Sequence, residues 1–189
     1  NQGDYIIISH PALFNDGTGA NPVDEYRQYR NSNPGGGYSA KVYDISELTD
    51  QFGFGIKHHP GAIRDFIHYA DANFSVQPQY VFIIGRGMNY IDQKTHETDP
   101  MSDRINFVTT FGWPPSDVLL SAKPGFSLPV VPIGRLGAVT GAEVANYLQK
   151  VIEYETVQTT TGSTIGDRGW VKNFIHVAGG KDSIENETF

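Results

Sequence analysis

The sequence predicts an α/β domain built on a mainly parallel sheet of four to five strands with helices on its faces. Two observations carry this. The apolar runs at 5–9 (YIIIS), 80–84 (YVFII) and 173–178 (NFIHVA) are too continuously hydrophobic for a sheet with one wet face; they suit strands covered on both sides. Between these runs stand segments with helical period and helix caps, so strand and helix alternate along the chain.

The elements follow in order. Tyr5–Ser9 is the first strand. Asn21 offers an N-cap and Pro22 a first helical position for a helix over 21–30, which the loop NSNPGGG at 31–37 breaks. A second strand spans 40–45 (AKVYDI), and 46–56 (SELTDQFGFGI) reads as a loop. Ala62, Ile63, Phe66, Ile67 and Ala70 recur at helical spacing and predict a helix from Pro60 to Ala72. The third strand is Tyr80–Ile84. Residues 129–136 (PVVPIGRL) read as a fourth, with Pro132 marking an edge or a bulge. Thr140-Gly-Ala-Glu143 has the form of a capping box and opens a helix carrying Val144, Tyr147, Leu148 and Val151 on one face. A last strand is expected over Asn173–Ala178. The whole describes a Rossmann-like or flavodoxin-like three-layer domain. Residues 88–128 form its one long irregular stretch, and its spaced aromatics Phe107, Phe111 and Trp113 predict an ordered, packed loop.

Composition removes several classes of function. With 14 basic against 21 acidic side chains the formal charge is −7, without the basic footprint of a nucleic-acid binder. The cations are scattered singly, and no apolar run reaches the roughly 18 residues that span a bilayer. There is no cysteine, hence no disulfide, thiolate ligand or cysteine nucleophile in these 189 residues.

The stretch QYVFIIGRGMNYID (79–92) runs a strand into Gly85-Arg86-Gly87, which raises the question of a phosphate loop. The spacing fails: Tyr90 stands where a third glycine is required, and no helix is expected to open directly after the turn. A sharp turn at a strand's carboxyl end is the better reading. Metal chemistry is weakly supported. His58 and His59 are adjacent and point apart, and with His68 they read as surface or packing histidines. Asp92, Asp99, Asp103 and Asp117 carry oxygens of the kind calcium takes, without the dense alternation of a calcium loop. No cofactor is therefore expected. Ser9-His10 ends the first strand, where open α/β sheets place their ligand crevice, but neighbours in sequence are not a catalytic dyad. No G-x-S-x-G elbow is present.

Five pieces taken in series resemble the gingipain family of cysteine peptidases, in particular its type IX secretion sortase branch. They are DYIIISHPALF; KVYDISELTDQFGFGI with HPGAIRDFIHYA; PQYVFIIGRGMNY; TTFGWPPSDVLLS; and VPIGRLGAVTGAEVANYLQKVIEYE. Relatives carry an acidic residue where Arg86 stands, so that carboxylate is missing from this chain. The resemblance implies that 1–178 is the first, non-catalytic subdomain of the catalytic region. Residues 179–189 would begin the link to a caspase-like subdomain holding the catalytic histidine and cysteine. It implies no catalytic residue in this chain, a polypeptide substrate for the parent, and a place outside the cell or on a bacterial surface. The expected binding or interface residues are Gly85, Arg86, Gly87, Tyr90, Phe111, Trp113 and Asp117, with 102–117 facing the caspase-like partner. The competing readings are a stand-alone binding module for a peptide or nucleotide-like ligand, and a catalytically dead relative within a surface assembly.

Overall fold

Five residues of unbroken burial make β1 (Tyr5–Ser9) the centre of a parallel sheet, since both its faces and both its edges are covered. Its neighbours are β2 (Ala40–Asp44) and β3 (Tyr80–Ile84), and β4 (Ile133–Leu136) pairs with β3, giving the order β2-β1-β3-β4 with every pairing parallel. This computed structural model describes residues 2–96, 98–112 and 114–173. They divide into two units, Asn1–Glu155 and Thr156–Phe189. The strand expected over 173–178 lies, beyond Asn173, outside the described residues.

Register assigns the layers. Tyr5, Ile7 and Ser9 are aligned with Tyr80, Phe82 and Ile84, so these share one face, because side chains alternate along a strand. On that face Phe82 stacks with Tyr26 of α1 (Pro22–Asn31) at 5.1 Å and with Tyr147 of α7 (Gly141–Thr160) at 5.9 Å. On the other face Tyr43 meets Phe66 of α3 (Pro60–Asn73) at 4.7 Å, and Phe66 also packs on Phe52 of α2 (Ile45–Phe52). Helices on both sides of a parallel sheet make the expected three layers. Ile6, Ile7, Ile8, Ile63, Ile67 and Ile83 are fully buried between them.

Local chemistry accounts for most helix ends. Asn21 caps α1 by accepting from the Asp24 amide, with Pro22 at the first position as expected. Thr140 accepts from the Glu143 amide at 3.2 Å, and Glu143 reaches back to the Val139 amide at 2.8 Å, one residue before the position of an ideal capping box.

Three readings need correction. The segment 46–56 is not a loop throughout, because Asp44 caps Ser46 and opens α2 over Ile45–Phe52. The fourth strand is shorter than 129–136. Pro132 cannot donate to the ladder, its carbonyl accepts from Val81, and pairing starts at Ile133. The irregular stretch contains three short helices, α4 (Tyr90–Thr95), α5 (Pro100–Ile105) and α6 (Val118–Ser121), the first two capped by Asn89 and Asp99. A helix therefore does open shortly after Gly87.

Within the second unit, the end of α7 is followed by a turn in which Thr164 and Asp167 bond each other and Arg168 donates to the Gly162 carbonyl.

Candidate functional site

The chain leaves β1 toward β2 on one side and reaches β3 on the other, so the switch point of this sheet lies at the carboxyl ends of β1 and β3. Open α/β sheets bind their ligands in the crevice there. The residues that arrive at it are His10 after β1, Asp44 at the end of β2 and Gly85 after β3.

Gly85 is required by its backbone conformation and Gly87 by packing. Gly85 has φ +147°, and a Cβ there would stand 3.2 Å from both Phe107 and Val108. A Cβ at Gly87 would fall 2.5 Å from the Val108 carbonyl oxygen. Between them Arg86, itself exposed, donates its amide to the Ala138 carbonyl, and its own carbonyl accepts from the amides of Phe107 and Val108. The turn thus makes room for the returning segment 107–110 and holds it. The N-terminus of α4 is already occupied, since Asn89 accepts from the Asp92 amide at 2.9 Å.

Arg135 of β4 locks this arrangement. Its Nη1 donates to the carbonyls of Gly85 (2.7 Å) and Val108 (2.6 Å), and its Nη2 to that of Thr109 (3.2 Å). Its Nε and Nη2 also grip both oxygens of Asp117, at 2.8 and 2.7 Å. Five donor contacts from a rigid fork, mostly withdrawn from water, fix a loop that would otherwise be free to wander. Asp117, expected at an interface, is placed here as the anchor of Arg135.

Two connected recesses open at this end. The first, about 220 Å³, is lined by His10, Ile45, Thr49, Asp50, His58, His59, Phe107 and others. The second is a groove of about 720 Å³ bounded by Ile56–Pro60, Gln93, Lys94, Asp103 and Phe111. Phe111 is 42% exposed along it. Tyr90 begins α4, and Trp113 lies outside the described residues.

The histidines have distinct positions. His10 caps a short 3₁₀ turn through Nδ1 and lies 5.1 Å from the Phe107 ring; burial, followed by opposing charge effects of its neighbours, holds it below its ordinary value. His58 Nε2 contacts Asp103 at 3.2 Å, and Lys57 contacts the same oxygen at 2.7 Å. Lys57 first, then His58, depress the Asp103 carboxyl. The Nδ1 of His59 is buried and has no hydrogen-bond partner. His68 faces the Ser121 carbonyl at 3.4 Å. Ser9 is fully buried and donates to the Ile84 carbonyl, so it is a strand-end clamp rather than a nucleophile.

The four aspartates considered for calcium do not converge. Asp92 and Asp99 serve helix starts, Asp103 pairs with the 57–58 segment and Asp117 with Arg135. Among the described residues no group of three His, Asp or Glu side chains could hold a metal ion, and no helix is long and apolar enough to cross a membrane.

What sequence reasoning missed is the 53–59 turn. Phe54 (φ 56°) and His58 (φ 58°) both occupy the left-handed region, and Phe54 is 90% exposed. The run FGFG gave a signal in its glycines, but nothing local marks a phenylalanine for such a conformation.

A parallel α/β domain with its recesses gathered at the switch point is the class that this geometry defines. The chain belongs to peptidase family C25, the gingipain family, whose description matches residues 1–189. Among solved structures it is similar to the dimeric latent PorU from Porphyromonas gingivalis, with a TM-score of 0.61 and 20% identity. That likeness covers 85% of this chain and 16% of the other, so the chain spans a small part of that protein's length. No curated protein matches it.

Proposed function

We propose that this chain is the non-catalytic first subdomain of a gingipain-like cysteine endopeptidase, whose carboxyl-end face walls the substrate cleft. The observation that carries the reading is Arg135. A fork bonded to three carbonyls and one carboxylate holds Gly85, Val108, Thr109 and Asp117 together at the one end of the sheet where α/β folds place function. Membership of a cysteine-peptidase family, in a stretch without cysteine, supports a division of labour in which the thiolate comes from a following caspase-like subdomain. On this reading the 189 residues alone cleave nothing, and the parent acts outside the cell or on its surface, with processing of secreted proteins as its task.

Residues 102–117 face the caspase-like subdomain, with Phe111 and Trp113 as aromatic anchors and Gly85, Arg86, Gly87 and Tyr90 in the turn behind them. Asp117 contributes by holding Arg135. In the longer protein, Phe111→Ala with Trp113→Ala should loosen docking and lower activity, each anchor being worth about 2 kcal/mol. The catalytic histidine and cysteine would remain intact. Unchanged activity together with unchanged thermal unfolding would rule the interface out. The competing reading is a stand-alone or catalytically dead module of a surface assembly. It predicts a parent in which no catalytic histidine and cysteine follow.

A further inference from the structure

The groove beside the 54–60 turn has the opposite charge to the chain as a whole. The protein carries −7, yet the groove's lining sets two lysines, Lys57 and Lys94, against a single carboxylate, Asp103. That carboxylate is already engaged by Lys57 and His58. Apolar surface completes the lining: Ile56 is 55% exposed and Phe111 42%.

The backbone points the same way. Left-handed conformations at Phe54 and His58 are strained for bulky side chains. For His58 the contact with Asp103 offsets the strain. For Phe54, 90% exposed, no such packing within the subdomain offsets it. Strain that displays an apolar ring to solvent, beside a groove of a size typical for ligands, marks a surface built to be covered.

We propose that this groove is a subsite for an extended segment of the polypeptide substrate that carries acidic and apolar side chains. The proposal rests on the reading above, in which this face walls a peptidase cleft, and it adds a preference. Carboxylates of the segment meet Lys94 and Lys57 at the groove's rim, while apolar residues lie along Ile56 and Phe111. An excess of lysine over carboxylate in an otherwise negative protein favours such a segment here over a basic one.

The test is fluorescence anisotropy of the 189-residue chain with three short labelled peptides of equal length. One alternates Leu/Phe with Asp/Glu, one replaces the acids by Lys/Arg, and one replaces them by Ser. The acidic peptide should bind at least about tenfold more tightly than the basic one at low salt, and the gap should shrink at about 0.5 M salt as screening grows. Lys94→Glu, on an exposed helix position, should abolish the gap, and Ile56→Ser, at an exposed position of the lining, should weaken the acidic and Ser peptides alike. Equal binding of all three peptides overturns the proposal, as does an undiminished preference in Lys94→Glu. Because this readout needs no cleavage, the two claims separate. A longer protein that cleaves peptides, paired with a chain that shows no preference, removes the subsite alone. Preference retained beside a longer protein that cleaves nothing sustains the groove and overturns the peptidase reading.

Discussion

The two ends of this sheet are built to opposite specifications. At the amino end, Tyr5, Tyr38 and Tyr80 form a triangle of rings 5.2 to 5.8 Å apart. The Arg30 guanidinium lies 5.1 to 5.9 Å from the ring centres of Tyr5, Tyr26 and Tyr29. The hydroxyls are paired as well. Tyr5 and Tyr26 bond each other at 3.0 Å, Arg30 donates to Tyr26 and Glu155, and Tyr29 donates to Glu155 at 2.5 Å. Desolvation, followed by the Glu155 carboxylate, pushes the Tyr29 phenol up to about 12.

At the carboxyl end a ring stands in solvent on strained backbone, and a buried imidazole nitrogen lacks a partner. The contrast teaches where stability and function are divided in this fold. One end is satisfied by its own residues, and the other leaves a ring and a ring nitrogen unsatisfied, as the proposed interface requires.

The comparison can be broken or sharpened by substitution. The largest effect is expected at Arg135, which holds the carboxyl-end segments together. Arg135→Met leaves Asp117 and three carbonyls without their donor and should cost about 3 kcal/mol in urea unfolding. Amide exchange should rise across 86–117, and Arg135→Lys should recover little, lacking the fork. An unfolding midpoint within error of the unsubstituted chain would show that the loop holds itself.

Substitutions at the two ends should then differ in sign. Arg30→Met, which leaves Glu155 and the tyrosine cluster short of their cation, should destabilise by about 2 kcal/mol. Phe54→Gly should stabilise by about 0.5 kcal/mol. Relief of a left-handed residue is worth roughly 1–2 kcal/mol, and the added freedom of glycine in the unfolded chain takes back 0.5–1 kcal/mol. Destabilisation by both changes would remove the asymmetry.

The smallest signal is a pH dependence. The half-buried His10 sits below its ordinary 6.5 when folded, so above 6.5 neither state holds the proton and stability is full. As pH falls below 6.5 the unfolded chain takes up the proton first, and stability is lost until pH has passed the folded value. Asp103 is depressed from 3.8, so its loss belongs to a separate, more acidic window. His10→Asn keeps an acceptor for the Ala12 amide and should flatten the thermal-unfolding profile just below pH 6.5. An unchanged slope there would assign the loss to other groups.

The layers were legible because parallel strands buried on both faces write themselves as unbroken apolar runs; β1 and β3 fall where YIIIS and YVFII stand. The same signal failed for α2. Its eight residues offer little more than two turns of periodicity, and the Asp44 cap sits inside a strand-like run. Legibility of the site was less. Gly85 and Gly87 announced a turn, yet the reason for both is segment 107–110, some twenty residues away. Arg135 and Asp117 were visible as parts of family-like pieces, but the ion pair joining them spans a long loop that no local pattern predicts. Lys57, Lys94 and Asp103 meet only in three dimensions.

The central claim is that substrate and partner subdomain meet this domain at the carboxyl end of its sheet. It is tested most directly by hydrogen exchange on the longer protein, with and without a thiol-alkylating peptide inhibitor. Protection should appear in 54–60 and 102–112 and leave the Tyr5, Tyr26 and Arg30 cluster unchanged. Protection at that cluster, with none at 54–60 or 102–112, would contradict the account.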